Sequence, residues 1–390
     1  MAVFTDITDP KYRDQLLAIE NAYEISITSI EGITLGSSDS LFKIWTNEHA
    51  ETLVLTIHET PDVTPNGLTH EAAHRMLRFI DYVASLSNGV TDSTGELVRL
   101  LILKPLQAHA NTPNRAPYLD LTFDGIQKCA SIVPFVTGKS FTNSPEDSVD
   151  SNEALLVGRA LAAYLMTAKS YPETEKFPQY PFRESAEEVA QNVGDPVAEE
   201  HLGYVLSNGQ TEGGSAKFLG QQYLAEMMER GSRLVQEWDR VSGSESVYPD
   251  ALIHGDLFTD NVFFDDEGNV ILLDFNETSC GPIGLDIGTA LSSWASRNGK
   301  PVLGNALKFL EGFDSVVALT GEQLAQIPTF VQIGAYRWET FRVRRVGMQD
   351  PRRIAMRSPD EFRSIQKGWR ELESDFASLS SIKELRTRTS

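Results

Sequence analysis

Apolar and polar positions follow two different periods along this chain, and the change of period divides it. Between 26 and 58, the segments ISITSI, SLFKIWT and ETLVLTIHE alternate or run apolar with β-branched residues, which predicts three strands. Apolar residues at helical spacing follow at 69–86, and strand-like runs return at 97–103 and 129–136. The first third is therefore predicted to be a small antiparallel β-rich unit that carries one helix.

Helical patterns dominate the rest of the chain. The segments 153–168 and 216–242 are predicted to be an apolar helix and a long amphipathic helix. The segment 105–125 is rich in Pro and Asn and is predicted to be a long loop, and the acidic, proline-containing stretch 171–200 to be an irregular, exposed excursion.

A polar stretch at 144–152 is a plausible boundary between the two parts. We therefore expect an α+β protein with two lobes. Residues 1–138 would form a β-rich nucleotide-binding lobe, and residues 139–390 a larger, mainly helical lobe for catalysis and substrate binding.

The segment that carries chemistry reads IHGDLFTDNVFFDDEGNVILLDFN. A loop at His254-Gly255-Asp256 leads to Asn261, and two short apolar runs follow, joined by the turn sequence DEGN. The second run ends at Asp274. A hairpin would thus bring Asn261, before its first strand, close to Asp274 at the end of its second.

This arrangement suits phosphoryl transfer, which needs an in-line alcohol, a carboxylate for its proton and metal ions on the phosphates. The amide oxygen of Asn261 and the carboxylate of Asp274 are hard oxygen ligands of the kind that Mg²⁺ prefers. Asp256 would orient the hydroxyl of a small substrate and accept its proton, and His254 would order the catalytic loop. The alternative is an ordinary acidic hairpin with an aspartate at each end.

The pattern HxDxxxxN followed by DF resembles the protein-kinase catalytic loop and its metal-binding motif, with Gly255 in place of arginine and Asn276 in place of glycine. It also resembles the aminoglycoside phosphotransferase and choline kinase superfamily, whose continuation is matched by GPIGLDIGTALSSWA. There Asp286 would brace the catalytic loop. Within that superfamily, ETLVLTIHE, ASIVPFVTGKSF and SPDEFRSIQKGW look most similar to bacterial homoserine kinases of threonine biosynthesis. The resemblance implies a bilobal protein-kinase-like fold, ATP and Mg²⁺.

The resemblance also implies where the nucleotide binds. Thr56 stands where most family members carry a strand lysine. One hypothesis is that Lys43 or His58 replaces that cation, and the alternative is that both are exposed strand residues. The strand that links the lobes, from Val133 to Val136, is the hinge strand. It would bond adenine through backbone groups, and Pro134 removes one donor there. The remaining predicted nucleotide contacts are Phe135 and Val136 in the hinge and Gly36, Ser37, Ser38 and Ser40 in the loop over the phosphates.

The acceptor is left open between two kinds of small molecule. Homoserine is a zwitterion, so its kinase needs a cation for the carboxylate, and Arg337 or Arg342 could supply it. An arginine-rich surface helix is the alternative for these residues. The second hypothesis is another small-molecule kinase of the same fold, acting on an aminoglycoside, choline or a methylthiosugar. An acidic pocket at 171–200 would suit a cationic acceptor of this kind. A third hypothesis is a relative that binds nucleotide without catalysis.

Composition narrows the location and the partners. A net charge of −21 disfavours binding to nucleic acid and to anionic membranes. No signal-peptide pattern or run of about 18 apolar residues is present, so we expect a cytoplasmic monomer or homodimer without a membrane segment. Cys129 and Cys280 lack metal-ligand spacing, and His70 and His74, four apart, are interpreted as non-metal residues because no HExxH motif contains them.

Overall fold

The computed structural model describes residues 5–33, 39–60, 68–109, 115–141, 149–243, 246–348 and 358–389. The strands are β1 (Ile27–Gly32), β2 (Ser40–Thr46), β3 (Leu53–His58), β4 (Leu100–Ile102), β5 (Leu119–Phe123), β6 (Ile126–Pro134), β7 (Lys139–Ser140), β8 (Asp250–Ile253), β9 (Val262–Phe264), β10 (Val270–Leu272), β11 (Ser279–Pro282), β12 (Ser296–Arg297) and β13 (Lys300–Pro301). The α-helices are α1 (Arg13–Tyr23), α2 (His70–Leu86), α3 (Ser151–Ala168), α4 (Phe182–Asn192), α5 (Pro196–Leu206), α6 (Gly213–Ser242), α7 (Ile283–Trp294), α8 (Leu303–Val316), α9 (Gly321–Met348), α10 (Asp360–Glu371), α11 (Glu373–Ala377) and α12 (Ile382–Thr389). The predicted α+β class, with an antiparallel β-part and a helical part, is confirmed.

The small lobe is built on an antiparallel sheet with the strand order β1-β2-β3-β6-β5. Alternate residues of β2 and β3, such as Ile44 and Leu55, are fully buried and share a core with Ile19 and Tyr23 of α1. Because side chains alternate across a strand, the residues between them face the other side of the sheet. That opposite face is the one available to a ligand.

The sheet corrects two predictions about this region. β5 lies inside the segment predicted to be a long loop, because its alternation of buried and exposed residues is hidden between Pro- and Asn-rich stretches. β4 leaves this sheet and pairs in parallel with β10, far along the chain. The boundary near residue 138 stays a prediction. The pairing of β4 with β10 joins a strand before this boundary to a strand after it.

The large lobe packs around α3, α7, α8 and α9. The helix α3 begins with a capping box, in which Asp150 and Glu153 bond each other's backbone N–H groups. The predicted helices at 153–168 and 216–242 are present as α3 and α6. The prediction of an exposed excursion at 171–200 is wrong, because α4 and the start of α5 lie there and Phe182 and Val189 are buried in the main core.

In the described part of the chain, no helix combines the length and the apolar character that crossing a membrane requires.

Candidate active site

A hairpin in the large lobe places the predicted chemical groups side by side. Val262 of β9 pairs with Leu272 of β10, so the residue before β9 and the residues after β10 are neighbours. The backbone N–H of Leu273 donates to the carbonyl of Asn261 at 2.9 Å. The twelve residues between Asn261 and Asp274 therefore form one closed hairpin that returns the chain to its starting point.

The loop before this hairpin is held by a buried carboxylate. Asp286, fully buried on α7, accepts the backbone N–H groups of His254 and Gly255, each at 2.8 Å. The His254 ring lies between its neighbours: Nε2 is 2.9 Å from the carbonyl of Leu273, and Nδ1 accepts the N–H of Asp256. Burial lowers the pKa of His254 to about 4, so the ring is neutral and donates from Nε2. His254 thus positions the loop through hydrogen bonds.

Gly255 occupies a backbone conformation that explains its identity. Its φ is +76°, and a Cβ atom there would lie 2.8 Å from the carbonyl oxygen of Glu277. Both the left-handed conformation and the close approach favour glycine over the arginine of protein kinases.

Asp256 and Asn261 are joined by two hydrogen bonds. The Asn261 Nδ2 donates at 2.8 Å both to the Asp256 carbonyl and to the Asp256 Oδ2. The amide nitrogen is thereby committed to Asp256, which turns the amide oxygen away from that carboxylate. Asp274 adopts φ +56°, an uncommon conformation for a residue with a side chain, directly after β10.

Negative charge is concentrated where these residues meet. Removal from water, followed by the nearby charges of Asp274, Glu277 and Asp260, raises the pKa of Asp256 well above its ordinary value. Partial enclosure by the protein, followed by the charge of Asp39, raises the pKa of Asp274 to about 6. Acidic oxygens that repel one another in this way fit a site for a divalent cation, which would relieve the repulsion.

These residues line a cleft with a volume of about 430 Å³. The wall opposite the hairpin comes from α9 and α10, where Trp338 lies edge-on to Phe258 with 5.1 Å between ring centroids. Charged residues of both signs also line it: Asp256, Asp260, Asp274, Glu277 and Glu361, with Arg297, Arg342 and Arg345. The cleft can therefore receive a molecule that carries both a cationic and an anionic group.

Two of the predicted nucleotide contacts need correction. Ser40 is fully buried, and its hydroxyl donates to Glu59 at 2.6 Å while it accepts the N–H of Thr5, so it is not available to a phosphate. Glu59 forms a buried ion pair with Lys128. Phe135 donates its backbone N–H to the Thr52 carbonyl at 2.9 Å, which removes it as an adenine donor.

The other nucleotide contacts keep their standing as predictions. Thr56 is half-buried on the sheet face opposite α1, and Val136 is half-buried just after β6. Gly36, Ser37 and Ser38 lie outside the described residues.

The two positively charged candidates to replace the strand lysine differ in their surroundings. Lys43 places its Nζ 4.2 Å from the centre of the Phe135 ring, which directs it toward the hinge. His58 is buried, so it is not the exposed strand residue that the sequence allowed; its ring nitrogens contact Ser131 at 2.9 Å and Asp39 at 3.2 Å. Asp39 was missed because its short loop offers no periodic pattern to place it.

Of the two arginines predicted to bind substrate, Arg342 lines the cleft and Arg337 does not, because they lie on different faces of α9. Trp338, Phe341, Arg342 and Arg345 line the cleft at positions i, i+3, i+4 and i+7, which is one face of a helix. Arg337 is off this face and outside the cleft lining; its Nη2 contacts Glu277 at 3.3 Å instead. The prediction for Arg337 is therefore corrected to a residue that supports Glu277. Arg345 was missed, although counting helical turns from Trp338 would have found it.

A family model described as "Phosphotransferase enzyme family" matches residues 29–318. Among known relatives, a homoserine kinase of Rhizobium meliloti is 25% identical over 354 residues, which cover 87% of this chain and 85% of that protein. A homoserine kinase of Sinorhizobium medicae is 27% identical over 345 residues, with the same coverage of both chains.

Solved structures agree on the fold. An amicoumacin kinase in complex with AMP-PNP, Ca²⁺ and amicoumacin superposes with a TM-score of 0.62 at 14% identity, covering 97% of each chain. A microcompartment-associated aminopropanol kinase gives a TM-score of 0.57 at 15% identity, covering 93% of this chain and 98% of that one. At these identities the likeness concerns the fold.

Proposed function

This chain belongs to the phosphotransferase enzyme family, and from that premise we propose that it transfers the γ-phosphoryl group of ATP to the hydroxyl of homoserine. The observation that carries the proposal is the meeting of Asp256, Asn261 and Asp274 in one cleft that arginines also line. The relatives named homoserine kinase are similar over most of their length, which supports the same acceptor.

In the proposed reaction, Asp256 accepts a hydrogen bond from the substrate hydroxyl and takes its proton. A bond forms between the alcohol oxygen and the γ-phosphorus, while the bond from that phosphorus to the bridging oxygen of ADP breaks. The raised pKa of Asp256 favours proton acceptance, and the Asn261 amide holds its carboxylate in a fixed orientation.

The donor set at the cleft fits a divalent cation, which we take to be Mg²⁺. Asp274 would bind it through the carboxylate and Asn261 through the amide oxygen, since hard oxygen atoms are its preferred ligands. When bound, the ion supplies positive charge that offsets the charge of the phosphates and helps to orient them. Asp274 is exposed at the cleft surface and can reach such an ion.

The acceptor is proposed from the charges on the two helices opposite the hairpin. Arg342 and Arg345, one turn apart on α9, can bind a carboxylate, and Glu361 of α10 can bind an ammonium group. The Nε1 of Trp338 is buried and has no partner among the described residues, so it offers one further donor. A cationic alcohol without a carboxylate would make no charge-assisted contact with these two arginines, which disfavours it.

The acceptor is tested by measuring ADP release with L-homoserine and 3-amino-1-propanol, which differ by the carboxylate, together with choline and an aminoglycoside. We expect homoserine to have the highest kcat/KM, by tenfold or more over the alcohol without the carboxylate, roughly the contribution of a charge-assisted hydrogen bond. Turnover of choline or the aminoglycoside with none of homoserine would reject this acceptor and keep the reaction.

The arginines are tested in the same assay. Arg342→Gln and Arg345→Gln should each raise the KM for homoserine by about tenfold or more and leave the KM for ATP within about twofold. Arg363→Gln is the matched control, because Arg363 lies on α10 outside the cleft lining and contacts Glu226 at 3.0 Å. Equal effects of all three substitutions would mean that the arginines act through the fold.

A cytoplasmic location and a monomeric or homodimeric state stay predictions.

A further inference from the structure

A second convergence of ligand-type side chains lies on the small lobe, outside the cleft. His70 and His74 of α2 both point their Nε2 atoms at the Oδ1 of Asp120 on β5, at 2.9 Å and 2.5 Å. One potential ligand atom from each of the three residues lies within 4.8 Å of the other two. None of the three lines the phosphotransfer cleft.

Secondary structure explains why the three side chains meet. Residues four apart lie on the same side of a helix, so the two imidazoles stand one above the other, with ring centroids 4.0 Å apart. The helix starts at His70 because Thr69 caps it by accepting the N–H of Ala72 at 3.2 Å. Asp120 is an exposed residue of an edge strand, so its carboxylate is free to reach across to the helix.

The imidazoles are also supported from behind. The ring of His74 stacks on Tyr118, with 3.8 Å between centroids and 17° between planes. The Tyr118 hydroxyl in turn accepts a hydrogen bond of 2.6 Å from Arg78, one turn further along α2. The side chain of His74 is 17% exposed and that of His70 30% exposed, so solvent and ions can still enter. Such outer contacts are what holds ligands in position at metal sites.

We propose that His70, His74 and Asp120 form a binding site for a borderline divalent transition-metal ion such as Zn²⁺. Two imidazoles with one carboxylate suit such ions better than Mg²⁺, which prefers oxygen ligands. Zinc binds these ligand types at about 2.0–2.2 Å, so the ligand atoms of a tetrahedral site stand about 3.4 Å apart. The two histidine–aspartate separations need to open by only about 1 Å or less, and water would complete the coordination.

An ion at this site would join the first turn of α2 to β5 at the edge of the sheet. Binding to the folded chain stabilises it in proportion to the logarithm of the ion concentration over Kd. We therefore expect zinc to raise the unfolding temperature of the small lobe. The sequence analysis interpreted His70 and His74 as non-metal residues. It could not associate them with Asp120, which is fifty residues from His70 in the chain.

The test measures Zn²⁺ binding to the full chain by competition with a chromophoric chelator, and Co²⁺ binding by its visible absorption. The test variants are His70→Gln, His74→Gln and Asp120→Asn. His109→Gln is the matched control, because His109 contacts a carboxylate, Glu24, at 3.8 Å without a second histidine. Asp274→Asn, which weakens the cleft site, separates zinc bound here from zinc bound at the cleft.

We expect one equivalent of zinc to bind to the wild type, to His109→Gln and to Asp274→Asn, each with a raised unfolding temperature. The affinity should fall by tenfold or more in each of the three test variants, and more for a lost histidine than for the lost carboxylate. The substitutions at the half-buried position 70 and the exposed position 120 lie outside both hydrophobic cores and so separate lost binding from lost folding. Equal zinc binding in the test variants, or its loss only in Asp274→Asn, would overturn the proposal and leave a metal-free hydrogen-bond cluster.

Discussion

Asp256 is the general base of the proposed reaction. Replacing it by asparagine keeps the size of the side chain and removes the proton acceptor. We expect kcat for Asp256→Asn to fall by about 10²–10⁴-fold while nucleotide affinity changes little, as measured by steady-state kinetics and calorimetry. Asp266→Asn, an exposed substitution in the turn of the same hairpin, should retain wild-type activity. Near-normal turnover by the Asp256 variant would remove this residue from its proposed role.

The pKa of Asp274 gives metal binding a predictable pH dependence. Because the protein raises this pKa to about 6 in the absence of metal, the carboxylate takes up a proton as the pH falls through 6, and the cation must displace that proton. We expect the affinity for Mg·ATP to fall by up to tenfold per pH unit below 6, measured by calorimetry between pH 7.5 and 5. Asp274→Asn should bind weakly without this slope. An affinity that stays constant down to pH 5 would contradict the assignment.

The raised pKa of Asp274 also makes the stability of the fold depend on pH. The folded-state pKa of Asp274 lies above the ordinary value of 3.8, so its ionised form is disfavoured in the fold. Without metal, this residue lowers the free energy of unfolding as the pH rises from about 4 to about 6, and its contribution is constant outside that range. A bound cation would reverse that contribution.

At the residue scale, how much the sequence predicts depends on how local the geometry is. Asp256, Asn261 and Asp274 could be grouped because a two-stranded hairpin fixes their relation within a short stretch. Ser40 was placed wrongly because its side-chain direction depends on the pairing of β2 with β3 and on contacts with Glu59. Arg337 was predicted to bind substrate and Arg345 was missed because the helical phase of α9 was not counted. Relative to Trp338, the cleft-lining face of this helix includes Arg345 and excludes Arg337.

Among the elements, the pair α3 and α8 is packed through glycine. A Cβ atom at Gly158 would lie 2.0 Å from the Phe309 carbonyl oxygen, which is backbone and cannot rotate away. Gly158→Ala should therefore lower the free energy of unfolding by about 2 kcal/mol or more, the range expected for overpacking, as measured by denaturant titration.

Gly304 provides the matched control on α8, since a Cβ atom there has nothing within 4 Å. Gly304→Ala should be neutral or stabilising by up to about 1 kcal/mol, because alanine is the better helix former. Equal destabilisation by the two substitutions would show that backbone contact at Gly158 is not what matters.

The elements also show where periodicity stops being informative. The helices α3 and α6 were predicted because one apolar face repeats over many turns. β5 is five residues long and lies among Pro- and Asn-rich neighbours, so its alternation was too short to recognise. The parallel pairing of β4 with β10 joins segments about 170 residues apart, and no local pattern encodes such a contact.

For the molecule as a whole, the buried apolar residues of the described chain form two hydrophobic cores. The small lobe's core combines α1 with the inner face of the five-stranded sheet, while α2 and β4 contribute to the core of the helical lobe. The cleft lining joins the catalytic hairpin to α9 and α10, so the proposed substrate recognition would depend on residues about 80 to 105 positions beyond the catalytic loop. Sequence patterns predicted the reaction from the loop and offered Arg342 as a substrate residue, whereas the packing of α9 and α10 added Arg345 and Glu361 to the cleft lining.

The most direct test of the central claim is ³¹P NMR of a mixture of the chain, Mg·ATP and L-homoserine. We predict a phosphomonoester signal that grows with ADP in a one-to-one ratio and depends on homoserine, and that is nearly absent with Asp256→Asn. Formation of ADP and inorganic phosphate without a phosphomonoester, or an equal yield from the Asp256 variant, would contradict the account.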